Sequence, residues 1–503
     1  MHRLLAVLGP VLLLAACHAA PPAPAGGASL LEYTVRIDDP AEERVEVELA
    51  IRGLAPETSS LALTLPEQVA FARLEDPLPG GEVSARDLAG NALAVVREAP
   101  HRWTVATAGS RELAVRLGVP LRHREIAAVL DARDAYEYPY LAADHGMLVM
   151  GTMLLAPELA AGRVRLRFAL PPGWEVRCPW PEAAPGEYEP PALQALQNDL
   201  AAVGRWEEQV VAAGGCEVTV AVAPGQDGLL AQVGPLVERI VAAELDLFGC
   251  VPRKKYLFLF GRPDPPPEPG VRAISLAGSP KTGSMTLMVQ GVGEGLDAAR
   301  YVGHLIAHEF HHVWTNAGIP LPDELRFVGE GFTDYYAFLV LAREGSIGWE
   351  EFAGVLREKL RDYLANPARK ELSLVAAGGP RFFSDRDVYG LTYAGGALFA
   401  ALLDRHVRGA RPGASLDELL RAFYNDPRWA SEAGAPTAGD FIAVLHDFLP
   451  AEIAAHLTDL AYREDGIDFA AELAATGAAV TVEPAITVDA APWREHLATR
   501  SDR

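Results

Sequence analysis

Two short stretches decide the reading of this chain: His308-Glu309-Phe310-His311-His312 and, around a glutamate eighteen residues past His312, Gly329-Glu330-Gly331-Phe332-Thr333-Asp334-Tyr335-Tyr336. Val302, Leu305, Ile306 and Val313 recur at helical spacing about the first, and no Pro or Gly interrupts 304–316. On such a helix His308 and His312 lie four apart and project from one face. The pair gives a tetrahedral Zn²⁺ two of its ligands, and Glu309 beside them can take a proton from the hydrolytic water. Among 13 histidines, a chance match to this motif is on the order of a 2% event. A hydrolytic zinc also needs a third protein ligand and an open fourth position. Glu330, at the start of a second helix predicted over 333–343, can face the His pair. Asp334 shares that face and can accept a proton from the far nitrogen of a ligand imidazole. Asp323 and Glu324, in a Pro-flanked loop, are nearer alternatives for the third ligand. The plain alternative for Asp334 is a solvated helix residue.

A third block is Tyr393-Ala394-Gly395-Gly396-Ala397-Leu398, running to Leu403-Asp404, and Val313-Trp314 directly follows the histidine motif. Together these blocks resemble the gluzincin metallopeptidases. They are most similar to the glycyl aminopeptidase family and more distantly to the aminopeptidase N family. The resemblance implies a thermolysin-like catalytic domain, one zinc ion held by His308, His312 and Glu330, and Glu309 as general base. It also implies that the Tyr393 hydroxyl stabilises the oxyanion, charge that exists only in the transition state. Tyr389 is a nearby competitor for that role. Tyr33 to Gly53, Leu236 to Phe260, Ser415 to Phe423 and Phe469 to Val480 are weakly similar to flanking parts of the same family.

Three departures from the family pattern matter. Aminopeptidases of these families carry a Gly-x-Met-Glu-Asn or Gly-Gly-Leu-Glu-His strand whose Glu binds the substrate's free amine. The nearest match is Gly283-Ser284-Met285-Thr286, with neutral Thr286 where Glu is expected. That leaves aminopeptidase and endopeptidase action both open, with Glu294 as another conceivable amine anchor. Residues 283 to 289 are expected to be the edge strand that takes up an extended peptide. Gly395 replaces the Lys of the family's Tyr-x-Lys-Gly block, and no terminal PDZ-like domain is apparent. The missing Glu also motivates a second reading: a zinc-binding lipoprotein that serves as a binding or assembly module. The general base, three ligands and Tyr393 weigh against it.

Beyond the site, His304 precedes His308 by one turn and reads as a packed or supporting residue. His311 lies off the ligand face, and His101 and His145 have no partners at recognisable spacing. The N-terminus reads as an address. Arg3 precedes an apolar run from Leu4 to Ala16 that is too short to span a membrane in the mature protein and ends Leu14-Ala15-Ala16-Cys17. It resembles the lipobox of bacterial lipoproteins, which implies a lipid on Cys17 and an envelope location, with His18 leaning towards the outer membrane. Loss of Arg3 takes the net charge from −23 to −24. So acidic a chain repels the phosphate backbone, which excludes nucleic acid as a partner and leaves a peptide or protein substrate. Cys178, Cys216 and Cys250 allow at most one disulfide.

Length and pattern set the organisation. The 503 residues, half of them apolar, suit about three domains. Strand-period alternation marks Tyr33-Val35-Ile37, Val45-Val47-Leu49-Ile51, Leu61-Leu63-Leu65, Val164-Leu166-Phe168-Leu170 and Val218-Val220-Val222. The expected fold is therefore multidomain α+β. Residues 1–16 form a leader and 17–28 a tether; 29–225 form an all-β domain, 226–404 a thermolysin-like catalytic domain, and 405–503 a helical region.

Overall fold

The computed structural model describes residues 29–494, apart from 67, 70–71, 74–82, 122–137, 160, 250–252, 262–274, 291–297, 316–318, 431–434 and 482–485. Cys17, Cys250 and Glu294 lie outside the described residues. The alternating segments form strands in the expected phase. Ser29–Arg36 pairs antiparallel with Arg44–Arg52 and parallel with Ala161–Ala169. The register sets Tyr33 opposite Leu49 and Leu166, and all three are buried. A period of two sends Glu32, Thr34 and Arg36 to the other face. These strands centre an eight-stranded sheet. Its inner face shares one core with Leu61, Leu63, Trp103 and Val105 of a second, four-stranded sheet. An N-terminal all-β domain is the result, as the alternation predicts.

A mixed five-stranded sheet follows, in the order Glu207–Ala213, Cys216–Val222, Lys255–Phe260, Ser284–Gln290, Ser275–Pro280. The Glu207–Val222 hairpin thus hydrogen-bonds into the sheet that carries the site, although its alternation reads like that of the N-terminal strands. One face of this sheet packs on the N-terminal part through Met147, Leu200, Trp206, Leu257 and Leu259. The other face is covered by helices α1 (Leu229–Phe248) and α2 (Ala298–His311). Val237, Ile240 and Val241 of α1 and Ile306 and Phe310 of α2 bury against Val220, Phe258 and Leu287.

Helices α3 (Thr333–Glu344), α4 (Trp349–Ala365) and α5 (Arg386–Ala410) close around α2. The Asp385 side chain accepts from the backbone N–H groups of Asp387 and Val388 and so starts α5. The later helices, Leu416–Tyr424 to Phe469–Ala475, share a single core with the catalytic sheet. α5 runs straight through residue 404, so the helical tail is continuous in packing with the catalytic part. Cys178 and Cys216 are buried free thiols, and burial pushes both up to about 12. Among the described residues no helix is long and apolar enough to cross a membrane.

Candidate metal centre and active site

α2 ends at His311, and His312 lies in the turn that follows. The four-residue spacing nevertheless holds, and the Nε2 atoms of His308 and His312 face each other at 3.2 Å. Glu330 sits on a turn of wide, π-type helix over Phe327–Phe332 that runs into α3. Such a turn inserts an extra residue and re-aims a side chain that an ordinary helix would direct elsewhere. Glu330 Oε2 is thereby 3.6 Å from both imidazole Nε2 atoms. Tetrahedral zinc with ligand bonds of about 2.0–2.1 Å requires donor–donor edges of about 3.3 Å. Two imidazoles and a carboxylate at these separations fit that ion in donor type, number and spacing. Asp323 and Glu324 are engaged elsewhere, with Arg326 and with the N–H of Ala438 respectively. Burial pushes the Glu330 carboxyl up, but the His312 and His308 imidazoles outweigh it and hold the carboxyl well below the usual range.

The groups behind the ligands differ in part from expectation. His312 Nδ1 pairs with Thr315 Oγ1 at 2.9 Å. Thr315 has no motif to mark it, only its place in the turn after the second histidine. Asp334 does face His308, but Oδ1 is 3.7 Å from Nδ1, beyond hydrogen-bond range. Its short contacts are to His304 Nε2, at 2.6 Å, and to the Lys359 ammonium of α4. Asp334 is buried, so it is not a solvated helix residue. Burial would raise its carboxyl, and Lys359 and His304 overcome that and hold it far below normal. Nothing local in the sequence ties Lys359 to residue 334. His304 stacks on Phe338 with ring centroids 4.2 Å apart. His311 turns away to Glu244 Oε2, 3.0 Å from its Nδ1, in a fully buried pair.

Glu309 is buried beside the ligands and lies against Gly278 of the strand Ser275–Pro280. A methyl group on Gly278 would come within 2.3 Å of Glu309 Cγ. Here the structure corrects the expected substrate strand. Ser284–Gln290 is paired on both sides, to Lys255–Phe260 and to Ser275–Pro280, so it has no free edge to offer a peptide. Gly283 and Ser284 bind the buried Asp199 carboxylate, at 2.6 and 3.0 Å, and Met285 and Thr286 are fully covered. The outer strand is Ser275–Pro280. The alternation of 284–290 looks the same for an inner as for an outer strand, which is why spacing misplaced it.

Tyr393, on the second turn of α5, donates its hydroxyl to Glu330 Oε2 at 2.7 Å. Its ring lies parallel to that of His308, 5.8 Å away. Burial and the neighbouring Glu330 raise its phenol well above normal. The glycines of its block have a steric role. A Cβ on Gly396 would lie 2.4 Å from the Phe327 carbonyl oxygen. A Cβ on Gly395 would lie 2.5 Å from Leu374 Cδ2, so a lysine at that position would have to displace Leu374. Tyr389 lies one turn earlier, half-exposed, with its ring 4.5 Å from that of Tyr393.

Comparisons with known proteins agree with this geometry. Residues 32–198 match the Peptidase M61 N-terminal domain, and residues 302–382 match M61 glycyl aminopeptidase. No curated protein matches the chain significantly. Among solved structures, an aminopeptidase N family protein from Idiomarina loihiensis is similar at 17% identity, covering 90% of this chain and 79% of that one, with a TM-score of 0.72. An M1 zinc metallopeptidase from Deinococcus radiodurans is similar at 14% identity, covering 88% of this chain and 94% of that one, with a TM-score of 0.53. A mutant of the Deinococcus enzyme bound to a Tyr-Ser-Ala substrate gives 13% identity and a TM-score of 0.51. These likenesses establish a fold shared with M1 enzymes, and the two matched segments are similar to the N-terminal domain and the glycyl aminopeptidase part of M61 peptidases, which supports a peptidase.

Proposed function

We propose that this protein hydrolyses peptide bonds with a single zinc ion held by His308, His312 and Glu330, and that a lipid on Cys17 tethers it in the bacterial envelope, outside the cytoplasm. The observation that carries the catalytic reading is the spacing of the three donor atoms, 3.2 to 3.6 Å apart, with Glu309 buried beside them. Zinc, when bound, supplies a Lewis acid that acidifies water and polarises a carbonyl. Glu309 then takes the proton of the attacking water and returns it to the leaving amine. Tyr393 donates a hydrogen bond to the oxyanion. Among the described residues Ser275–Pro280 is the outermost strand of its sheet; it lies beside Glu309 and suits an extended peptide laid along it. Ser275-Leu-Ala-Gly-Ser-Pro280 carries no carboxylate, so this strand brings no charge to pair with a substrate amine. Among the described residues this strand therefore offers no amine anchor, which favours endopeptidase action on blocked as well as free N-termini, while Glu294 lies outside the described residues.

The test pairs zinc-loaded wild type with Glu309→Gln on peptides that differ only in a free or an acetylated N-terminus, with products read by mass spectrometry. Internal cleavage of both peptides by wild type, lost by orders of magnitude in Glu309→Gln at equal zinc content, supports the reading. Stepwise removal of single residues from free peptides alone overturns its endopeptidase part. No cleavage by zinc-loaded protein overturns it whole and favours the binding-module alternative. For the anchor, Cys17→Ala is expected to release the protein from the membrane fraction.

A further inference from the structure

An aromatic ladder runs from the metal centre to the surface. His308 stacks on Tyr393 and Tyr393 on Tyr389 at 4.5 Å, and Tyr389 lies tilted against Phe382 at 5.1 Å. Phe382 in turn meets Phe383 edge-on at 4.9 Å. His308 and Phe382 are buried and Tyr393 is half-buried, whereas Tyr389 is 45% and Phe383 is 64% exposed. Few large apolar side chains among the described residues are this open. Two of them are joined through Phe382, and Tyr389 lies one turn from Tyr393, which hydrogen-bonds Glu330. Apolar area left in water forgoes burial energy, so an exposed cluster beside a site points to a ligand that covers it.

The cluster is also held in place. The Arg326 guanidinium lies over both Phe rings, at 4.8 Å from Phe382 and 4.9 Å from Phe383. Its Nε donates to the Gly378 carbonyl at 2.9 Å, and its other end pairs with Asp323. A cation fixed at both ends keeps the exposed ring from rotating freely, so less ordering entropy is lost when a ligand stacks on it. The Tyr389 ring lies 4.5 Å from that of Tyr393, which places the shelf next to the position where the scissile carbonyl is stabilised.

We infer that Tyr389 and Phe383 form a specificity shelf for an aromatic or large aliphatic side chain on the substrate residue adjoining the scissile bond. This rests on the peptidase reading above and names its substrate class. Stacking on a ring favours flat or bulky apolar groups over Gly and Ala, because both apolar area and ring-to-ring contact are gained.

The experiment uses two matched sets of acetylated peptides that vary Gly, Ala, Leu and Phe on one side or the other of the cleaved bond. Wild type is expected to favour Phe and Leu over Gly by at least tenfold in kcat/KM on one side. Phe383→Ala and Tyr389→Ala should each lower that ratio by about fivefold or more, while Val96→Ala, an exposed apolar residue of the N-terminal domain, leaves it unchanged. A preference for Gly or Ala overturns the inference, as does an equal loss across all peptides in both shelf variants. Zinc-loaded Glu309→Gln gives a readout independent of turnover. Its affinity for the Phe peptide over the Gly peptide should be at least tenfold and should fall when Phe383→Ala is added. Equal affinities overturn the shelf even if no peptide is cleaved, whereas a Phe preference in binding without cleavage supports the shelf and counts only against the peptidase reading.

Discussion

Gly331, next to Glu330, rests directly on Gly396, three residues after Tyr393, so closely that a Cβ on Gly331 would stand 2.4 Å from the Gly396 Cα. Two glycines thus set the spacing between the segment that holds Glu330, the proposed third ligand, and the helix that holds Tyr393, the proposed oxyanion donor. Gly396→Ala is expected to push them apart. Overpacking of this kind costs about 1–3 kcal/mol, and a misplacement near 1 Å lowers turnover by about 10²-fold. Thermal unfolding and kcat together check it; a variant with wild-type turnover would mean that this contact does not govern the site.

Removal of ligands and of their supports should separate cleanly in metal content. Glu330→Ala is expected to lose zinc on dialysis. Thr315→Val, which removes only the partner of His312 Nδ1, is expected to keep the metal but to bind it about 10–100-fold more weakly against a competing chelator. Asp334→Asn is expected to lie nearer the Thr315 variant than the Glu330 variant. Equal zinc content in wild type and Glu330→Ala would refute the ligand assignment.

Gly278→Ala places a methyl group against the Glu309 side chain and leaves the three ligands untouched. The expected result is full zinc occupancy with kcat reduced by about 10²-fold, since the base must turn out of line. Metal analysis beside single-turnover kinetics distinguishes this from simple loss of the metal.

Asp199 gives the joint between the N-terminal part and the catalytic sheet a pH dependence. Burial pushes its carboxyl up to about 6, against the opposing pull of Arg253 and its hydrogen bonds to Gly283 and Ser284. A group raised in the folded state above its unfolded value of 3.8 stabilises the fold most at low pH. That contribution is lost as pH rises from about 4 to about 6, and it amounts to an order of 3 kcal/mol. Asp199→Asn keeps an acceptor and removes the titration. Wild type should therefore lose stability relative to this variant across that window and run parallel to it above. Calorimetric melts at pH 4.5, 6 and 7.5 check the trend, and parallel curves throughout would contradict it.

The sequence by itself determined what depends on neighbours along the chain. Period-two alternation placed Tyr33, Leu49 and Leu166 in a sheet core, and the four-residue interval of His308 and His312 put both imidazoles on one side of a helix. The offset to Glu330 was legible because the Glu-Gly-Phe-Thr-Asp block is itself local. Only the tertiary structure decided which strand is outermost. Alternation is blind to what lies beyond a strand's hydrogen-bonding edge, so Gly283 to Thr286 looked available and Gly278 went unnoticed. It likewise decided that Lys359, from another helix, takes the Asp334 carboxylate that the local pattern reserved for His308, and that Thr315 supports His312. Charges and hydroxyls find partners by distance in space, and their spacing in sequence carries no record of a helix that folds back beside them.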